Sequence, residues 1–157
     1  MKIIDLLSQN AISTELKSKT KEDMLSELAD LLVQSDTIKK TEKTEILKRL
    51  KERELLGSTG IGKGVAIPHA KCPKVKNMAA AFGISKTGVD FKSLDGEPTY
   101  IFFLLIAPGE TPGPHLKALA KISRLLDDKF IRDRLKSASS PQEVYKTIKD
   151  EEQKNLV

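Results

Sequence analysis

The sequence predicts a single α/β domain over residues 1–157, with a central sheet of four or five strands covered by helices on both faces. Three observations carry that expectation. Tyr100-Ile101-Phe102-Phe103-Leu104-Leu105-Ile106 is apolar at every position, the pattern of a central strand with both faces covered. Stretches with helical spacing alternate with strand-like stretches, and no repeat, linker or low-complexity segment divides them. The length suits one full core, since domains commonly run to about 100–150 residues.

Taken in order, Ile3 to Leu7 reads as a short helical turn and Ala11 to Leu16 as an edge strand. Thr20 followed by Glu22 and Asp23 is an N-cap signal, and Met24, Leu25, Leu28, Leu31 and Leu32 recur at helical spacing to about Gln34. A second helix begins near Thr41, carries Ile46, Leu47 and Leu50 on its apolar stripe, and stops at Gly57. Met78 to Ser85 is a strand of small residues, and Lys86-Thr87-Gly88 reads as a turn towards Val89 and Phe91. After the central strand, Ala107 to Pro114 holds three prolines and two glycines and reads as a loop. His115 then opens a helix with Leu116, Leu119, Ile122 and Leu126 inward. Asp128 caps a short helix carrying Phe130, Ile131 and Leu135, and the Ser139-Ser140-Pro141 stretch starts a last helix anchored by Val144, Tyr145 and Ile148.

Composition narrows the function. A hydrophobic content of 39% and a charged content of 31% are ordinary for a soluble domain, and no apolar run approaches the length of a membrane span. Asp5 interrupts the N-terminus before a secretory h-region can form, which points to a cytoplasmic protein. The single cysteine, Cys72, excludes an internal disulfide and suits a reducing compartment. The net charge of +5 comes from lysines interleaved with acids, and aromatic content is only 4%, so nucleic acid is not an expected partner.

Chemistry concentrates in Gly57-Ser58-Thr59-Gly60-Ile61-Gly62-Lys63-Gly64-Val65-Ala66-Ile67-Pro68-His69-Ala70-Lys71. Four glycines in eight residues suggest a bent loop whose amides cradle an anion. Pro68 holds Ile67 extended and places His69 at a rigid strand end. Neutral imidazole is a good nucleophile near pH 7, with a reference pKa of about 6.5, and returns a phosphoryl group as readily as it takes one. His69 is therefore the candidate carrier of a transferable phosphoryl group, with Arg53, the loop amides and a second imidazole, His115, as candidate donors to its charge. Taken singly, His69 also reads as a buried ring satisfied by hydrogen bonds, His115 as a surface residue at a helix start, and Arg53 as one end of a surface ion pair. Ser58 and Thr59 also serve as turn caps, and Lys63 and Lys71 as solvated cations attracting acidic or phosphorylated partners.

Two other chemistries fit less well. The glycine loop nearly matches a nucleotide-binding P-loop, but Gly64 stands where that motif needs Ser or Thr, and Pro68 blocks the helix that should follow. A magnesium-dependent phosphate-binding hydrolase is thus a remote alternative. His69 and Cys72 alone do not make a metal centre, because zinc sites usually need a third protein ligand.

Arg53-Glu54, the glycine loop ending in Ile67-Pro68-His69, and Pro114-His115-Leu116-Lys117-Ala118-Leu119 together resemble the IIA component of the bacterial phosphoenolpyruvate-dependent sugar phosphotransferase system, fructose/mannitol type, which includes stand-alone nitrogen-regulatory IIA proteins. The resemblance covers essentially the whole chain. It implies a mixed central sheet of about five strands flanked by helices, and a phosphotransferase component with a phosphohistidine intermediate, no cofactor and no metal. By matching position it makes His69 the phosphoryl acceptor, His115 the assisting histidine and Arg53 a contributor to phosphoryl handling; the glycine loop, read as an anion cradle, adds Ser58, Thr59 and Gly60 as residues expected at the phosphoryl group. The implied donor is HPr or its nitrogen-type paralogue, and the acceptor is a IIB component or a regulatory target, with no membrane insertion. The chain ends at Val157 without a fused HPr, IIB or membrane segment, which favours regulation over dedicated fructose or mannitol transport as an expectation.

Overall fold

The computed structural model describes residues 1–109 and 112–154. Its centre is β6 (Thr99–Ala107), the unbroken apolar run. Successive strand side chains point to opposite faces, so Ile101, Phe103 and Leu105 enter one core while Phe102, Leu104 and Ile106 enter another. β5 (Ala79–Val89) runs antiparallel to β6, and β1 (Leu7–Ser13) lies parallel to β5 at one edge. On the other side β3 (Val65–Ala66) and β4 (His69–Lys71) both pair in parallel with β6, one after the other. β2 (Gly60–Gly62) closes the far edge antiparallel to β3, which gives the order β1-β5-β6-β3-β2 with β4 beside β6. The sheet is mixed, as the resemblance implies, and has six strands instead of about five because the glycine loop itself folds into strands.

α1 (Lys21–Gln34) and α2 (Lys43–Leu55) cover one face, with Met24, Leu25, Leu28, Ile46 and Leu50 packed on the even-numbered side chains of β6. The Thr20 hydroxyl accepts from the Asp23 amide at 3.2 Å, so the capping signal is realised. α3 (Pro112–Leu126), α4 (Lys129–Lys136) and α5 (Pro141–Lys154) cover the other face through Ile122, Leu126, Ile131, Leu135, Val144 and Ile148. Among the described residues no helix is long and apolar enough to cross a membrane.

Four expectations change. The turn at Lys86-Thr87-Gly88 is continuous strand with an irregular register between Ile84 and Val89. Gly88 takes φ +82° there, and a Cβ on it would lie 2.9 Å from the Tyr100 ring, so the glycine makes a bulge instead of a reversal. The proline-rich stretch is shorter than expected: Ala107 belongs to β6 and the helix already begins at Pro112, while Glu110 and Thr111 lie outside the described residues. His115 therefore sits within the first turn of α3 and does not open it. Leu116 and Phe130 point outward, being 66% and 65% exposed. The inward face of α3 keeps Leu119, Ile122 and Leu126 as expected and adds His115, Ala118 and Leu125 in place of Leu116.

Candidate functional site

His69 owes its position to Pro68. Proline has no amide proton to give, so it interrupts the ladder between β3 and β4; its carbonyl accepts from Leu105, and pairing resumes at His69 against Leu105. The ring is oriented by two bonds. Nδ1 lies 2.8 Å from the carbonyl oxygen of Ile67, which can only accept, so Nδ1 carries the proton and Nε2 keeps its lone pair. That lone pair accepts from Arg53 Nε at 3.2 Å. Burial pushes the His69 pKa below the usual histidine value, opposed by the Ile67 hydrogen bond and reinforced by the Arg53 charge, so the ring is neutral near pH 7.

Arg53 comes from the last turn of α2, where its Nη1 also donates to Gly57 O at 2.9 Å. One guanidinium thus ties together a helix end, the glycine loop and the imidazole. The next residue, Glu54, turns the other way: its carboxylate accepts from the Thr59 amide at 3.1 Å and from the Thr59 hydroxyl, and pairs with Lys21 at 2.7 Å. Glu54 fixes the loop on which Arg53 rests. Its only sequence signal was its place beside Arg53 in the motif.

His115 meets His69 from across the pocket, with ring centroids 5.6 Å apart at 75°. It is 5% exposed, and among the described residues neither ring nitrogen has a hydrogen-bond partner. Burial and the neighbouring His69 and Lys71 depress its pKa, so it too is neutral at pH 7. An unpaired polar group in such a position costs about 1–3 kcal/mol. Its place in the first turn of α3 adds the positive end of a helix dipole to the same spot.

The loop residues are disposed differently. Ser58 Oγ donates to Phe91 O at 2.8 Å and accepts from the Gly60 amide at 3.0 Å, while Thr59 is 3% exposed with amide and hydroxyl both on Glu54. Ser58, Thr59 and Gly60 thus direct these donors to the chain itself. Lys63 and Gly64, with φ +59° and +76°, form the two-residue turn between β2 and β3, and Lys63 pairs with Asp127 at 2.7 Å on the surface. Cys72 is buried, and burial pushes its thiol up to about 11.

His69, His115 and Arg53 open onto a pocket of about 610 Å³, whose lining includes Leu56 and Leu116. Leu56 is 84% exposed. An open cavity with exposed leucines at the mouth, two neutral imidazoles and one guanidinium can receive a phosphoryl group presented by another protein.

The comparisons with known proteins agree with this chemistry. The family model described as phosphoenolpyruvate-dependent sugar phosphotransferase system, EIIA 2, matches residues 5–151. A nitrogen regulatory protein of Bradyrhizobium diazoefficiens is 38% identical over 148 residues, covering 94% of this chain and 95% of that protein. A fructose-specific EIIABC component of Bacillus subtilis is also 38% identical over 148 residues, 94% of this chain, but the chain spans only 23% of that longer protein. The crystal structure of the nitrogen regulatory protein IIA-Ntr from Neisseria meningitidis superposes with a TM-score of 0.85 at 32% identity, over 93% of this chain and 98% of that one.

Proposed function

The chain belongs to the EIIA type 2 family of the phosphoenolpyruvate-dependent sugar phosphotransferase system, and from that premise we propose that it is a histidine phosphocarrier with His69 as acceptor. The observation that carries the assignment is the fixed Nδ1–H tautomer of His69, which leaves the Nε2 lone pair facing the pocket beside Arg53. In transfer, the Nε2 lone pair attacks phosphorus in line, the P–N bond to the donor's histidine breaks, and the donor ring, protonated on its other nitrogen, takes back that electron pair and leaves as neutral imidazole, while the His69 ring becomes the protonated phosphoimidazole. Nδ1 of His69 keeps its proton on Ile67 O throughout, so no external base and no metal enters the step. Arg53 leaves the lone pair it occupies and meets the equatorial oxygens, each such charge-assisted hydrogen bond being worth about 1.5–3 kcal/mol. His115 finds in the incoming phosphoryl group the partner it lacks within the chain, and gains a proton affinity that it does not have beside a neutral ring. Ser58, Thr59 and Gly60 act at one remove, by holding the loop against which Arg53 leans.

HPr or its nitrogen-type paralogue is the donor, and a IIB component or a regulatory protein is the recipient. The likeness to stand-alone nitrogen regulatory proteins over nearly their whole length supports signalling by phosphorylation state; the equal identity to a fructose-specific component supports dedicated transport as the second reading. Incubation with phosphoenolpyruvate, Enzyme I and HPr, read by mass spectrometry, tests the assignment. One acid-labile phosphoryl group on the wild type and none on His69→Ala is the expected result; an unmodified wild type with several cognate HPr preparations, or a modified His69→Ala, would overturn it.

A further inference from the structure

A phosphoryl group on His69 presents three strong acceptor oxygens, more than one guanidinium and one imidazole can satisfy. The glycine loop, expected from sequence to supply the rest, spends the donors of Ser58 and Thr59 and the Gly60 amide on Phe91 O, Glu54 and Ser58 Oγ. Besides Arg53, two cations line the cavity, Arg49 and Lys71. Arg49 is turned to Glu45, its Nε donating at 2.9 Å. Lys71 is exposed and has no hydrogen bond or ion pair among the described residues.

The strand aims Lys71 at the same side as the acceptor. Residues two apart on a strand share a face, and Ala70, which separates His69 from Lys71 in β4, is buried with Leu104 and Ile106 under α1 and α2. His69 and Lys71 therefore both face away from that core, on the side where His115 meets His69. Pairing with β6, His69 opposite Leu105 and Lys71 opposite Ala107, fixes their spacing at about 7 Å along the strand. The four-carbon stem of a lysine crosses such a gap. The Lys71 charge also helps to depress the His115 pKa, after burial and His69, so the ammonium lies within electrostatic reach of the second imidazole.

Resting on the reading of His69 as acceptor, we propose that Lys71 is a further catalytic residue, whose ammonium swings over His69 as Nε2 is phosphorylated and binds the oxygen lone pairs that Arg53 and His115 leave open. Lys71 forms no covalent bond and gives up no proton, so the balance of the transfer step is unchanged. Its contact is with the travelling group and not with the protein that delivers it. An ammonium with three donors on a flexible stem suits that place, because it can follow an oxygen that arrives only with transfer.

The test uses the full chain and its Lys71→Met and Lys71→Arg variants, with a phosphorylated HPr-type protein and phosphoramidate as alternative donors. At saturating protein donor Lys71→Met should transfer about tenfold more slowly with KM little changed, a smaller loss than for a buried donor because solvent screens an exposed cation. Phosphoramidate, too small to dock, should phosphorylate that variant more slowly by a similar factor, and Lys71→Arg should recover most of both rates. NMR of the lysine ammonium groups reads the contact itself: phosphorylation should shift the Lys71 Nζ resonance and leave those of Lys74 and Lys76 in place. A Lys71→Met variant with the wild-type rate, one changed in KM alone, or a Lys71 resonance unmoved by phosphorylation would overturn the proposal and leave His69 as acceptor. If neither donor modifies wild-type His69, the phosphocarrier reading falls and the proposal with it.

Discussion

The two imidazoles of the pocket stand on opposite kinds of backbone and are treated in opposite ways. His69 begins a strand whose ladder is interrupted by Pro68, and both of its ring nitrogens are engaged, by Ile67 O and by Arg53. His115 lies in the first turn of a helix, only 5% exposed, and neither of its nitrogens is engaged among the described residues. A nucleophile needs one tautomer and one direction of approach, which hydrogen bonds supply in advance. A group that stabilises charge appearing only during transfer does better to hold its donor back, at a cost to the resting protein. The contrast is what supports the proposed roles, His69 as acceptor and His115 as the assisting group.

The largest effect that could break this contrast is a complete one. His69→Ala should take up no phosphoryl group from a phosphorylated HPr-type donor, and uptake by that variant would move the acceptor elsewhere. His115→Phe should lower the transfer rate by about 10²-fold, the usual loss on removing one transition-state donor, while thermal stability is unchanged or higher because an unpaired buried group is gone. A variant that is both slow and unstable would mean that His115 is needed for packing. Arg53→Lys keeps a cation but gives up the planar fork that reaches Nε2 and Gly57 O together, so stopped-flow transfer should slow by about tenfold or more. Rescue of the full rate by lysine would reduce Arg53 to a point charge.

A smaller effect separates the rings by pH. Both have pKa values below the ordinary histidine value, chiefly through burial. As pH falls through about 6.5 the unfolded chain takes up protons before the folded one, so stability is full above that pH and declines as the folded pKa values are approached. Denaturant titrations should show the decline, flattened in His115→Phe. The smallest effect is expected at Glu54→Gln, which weakens the anchoring of Thr59 and the pair with Lys21 without touching either ring. Stability should drop by about 1–3 kcal/mol, with transfer slowed only as far as the loop under Arg53 loosens.

The parts of the fold that announce themselves in sequence are those where one physical signal dominates. An apolar run with no break became β6, and a threonine followed by acids became the cap of α1. Expectations failed where two signals compete. Lys86-Thr87-Gly88 carries turn residues, yet pairing across the sheet keeps it extended, and Gly88 relieves the crowding under Tyr100 by bulging. In α3 the expected stripe packs at Leu119, Ile122 and Leu126 and fails only at Leu116, which is left at the pocket mouth while His115 and Ala118 are buried beside it. Candidate residues were legible as chemistry and not as geometry. Glycine density suggested an anion cradle; the loop instead turns the donors of Ser58, Thr59 and Gly60 inward, and it was long-range contacts with Glu54 and Phe91 that decided this. The tautomer of His69 depends on the Ile67 carbonyl, two residues away, and no spacing rule encodes where that oxygen points.

Long-range 1H–15N correlation NMR of the His69 ring, before and after phosphorylation by a phosphorylated HPr-type donor, addresses the central claim most directly. The account predicts a neutral Nδ1–H ring near pH 7 in the resting protein and a phosphoryl group on Nε2 afterwards, with the proton still on Nδ1. A resting ring protonated on Nε2, or a phosphoryl group on Nδ1, would contradict it.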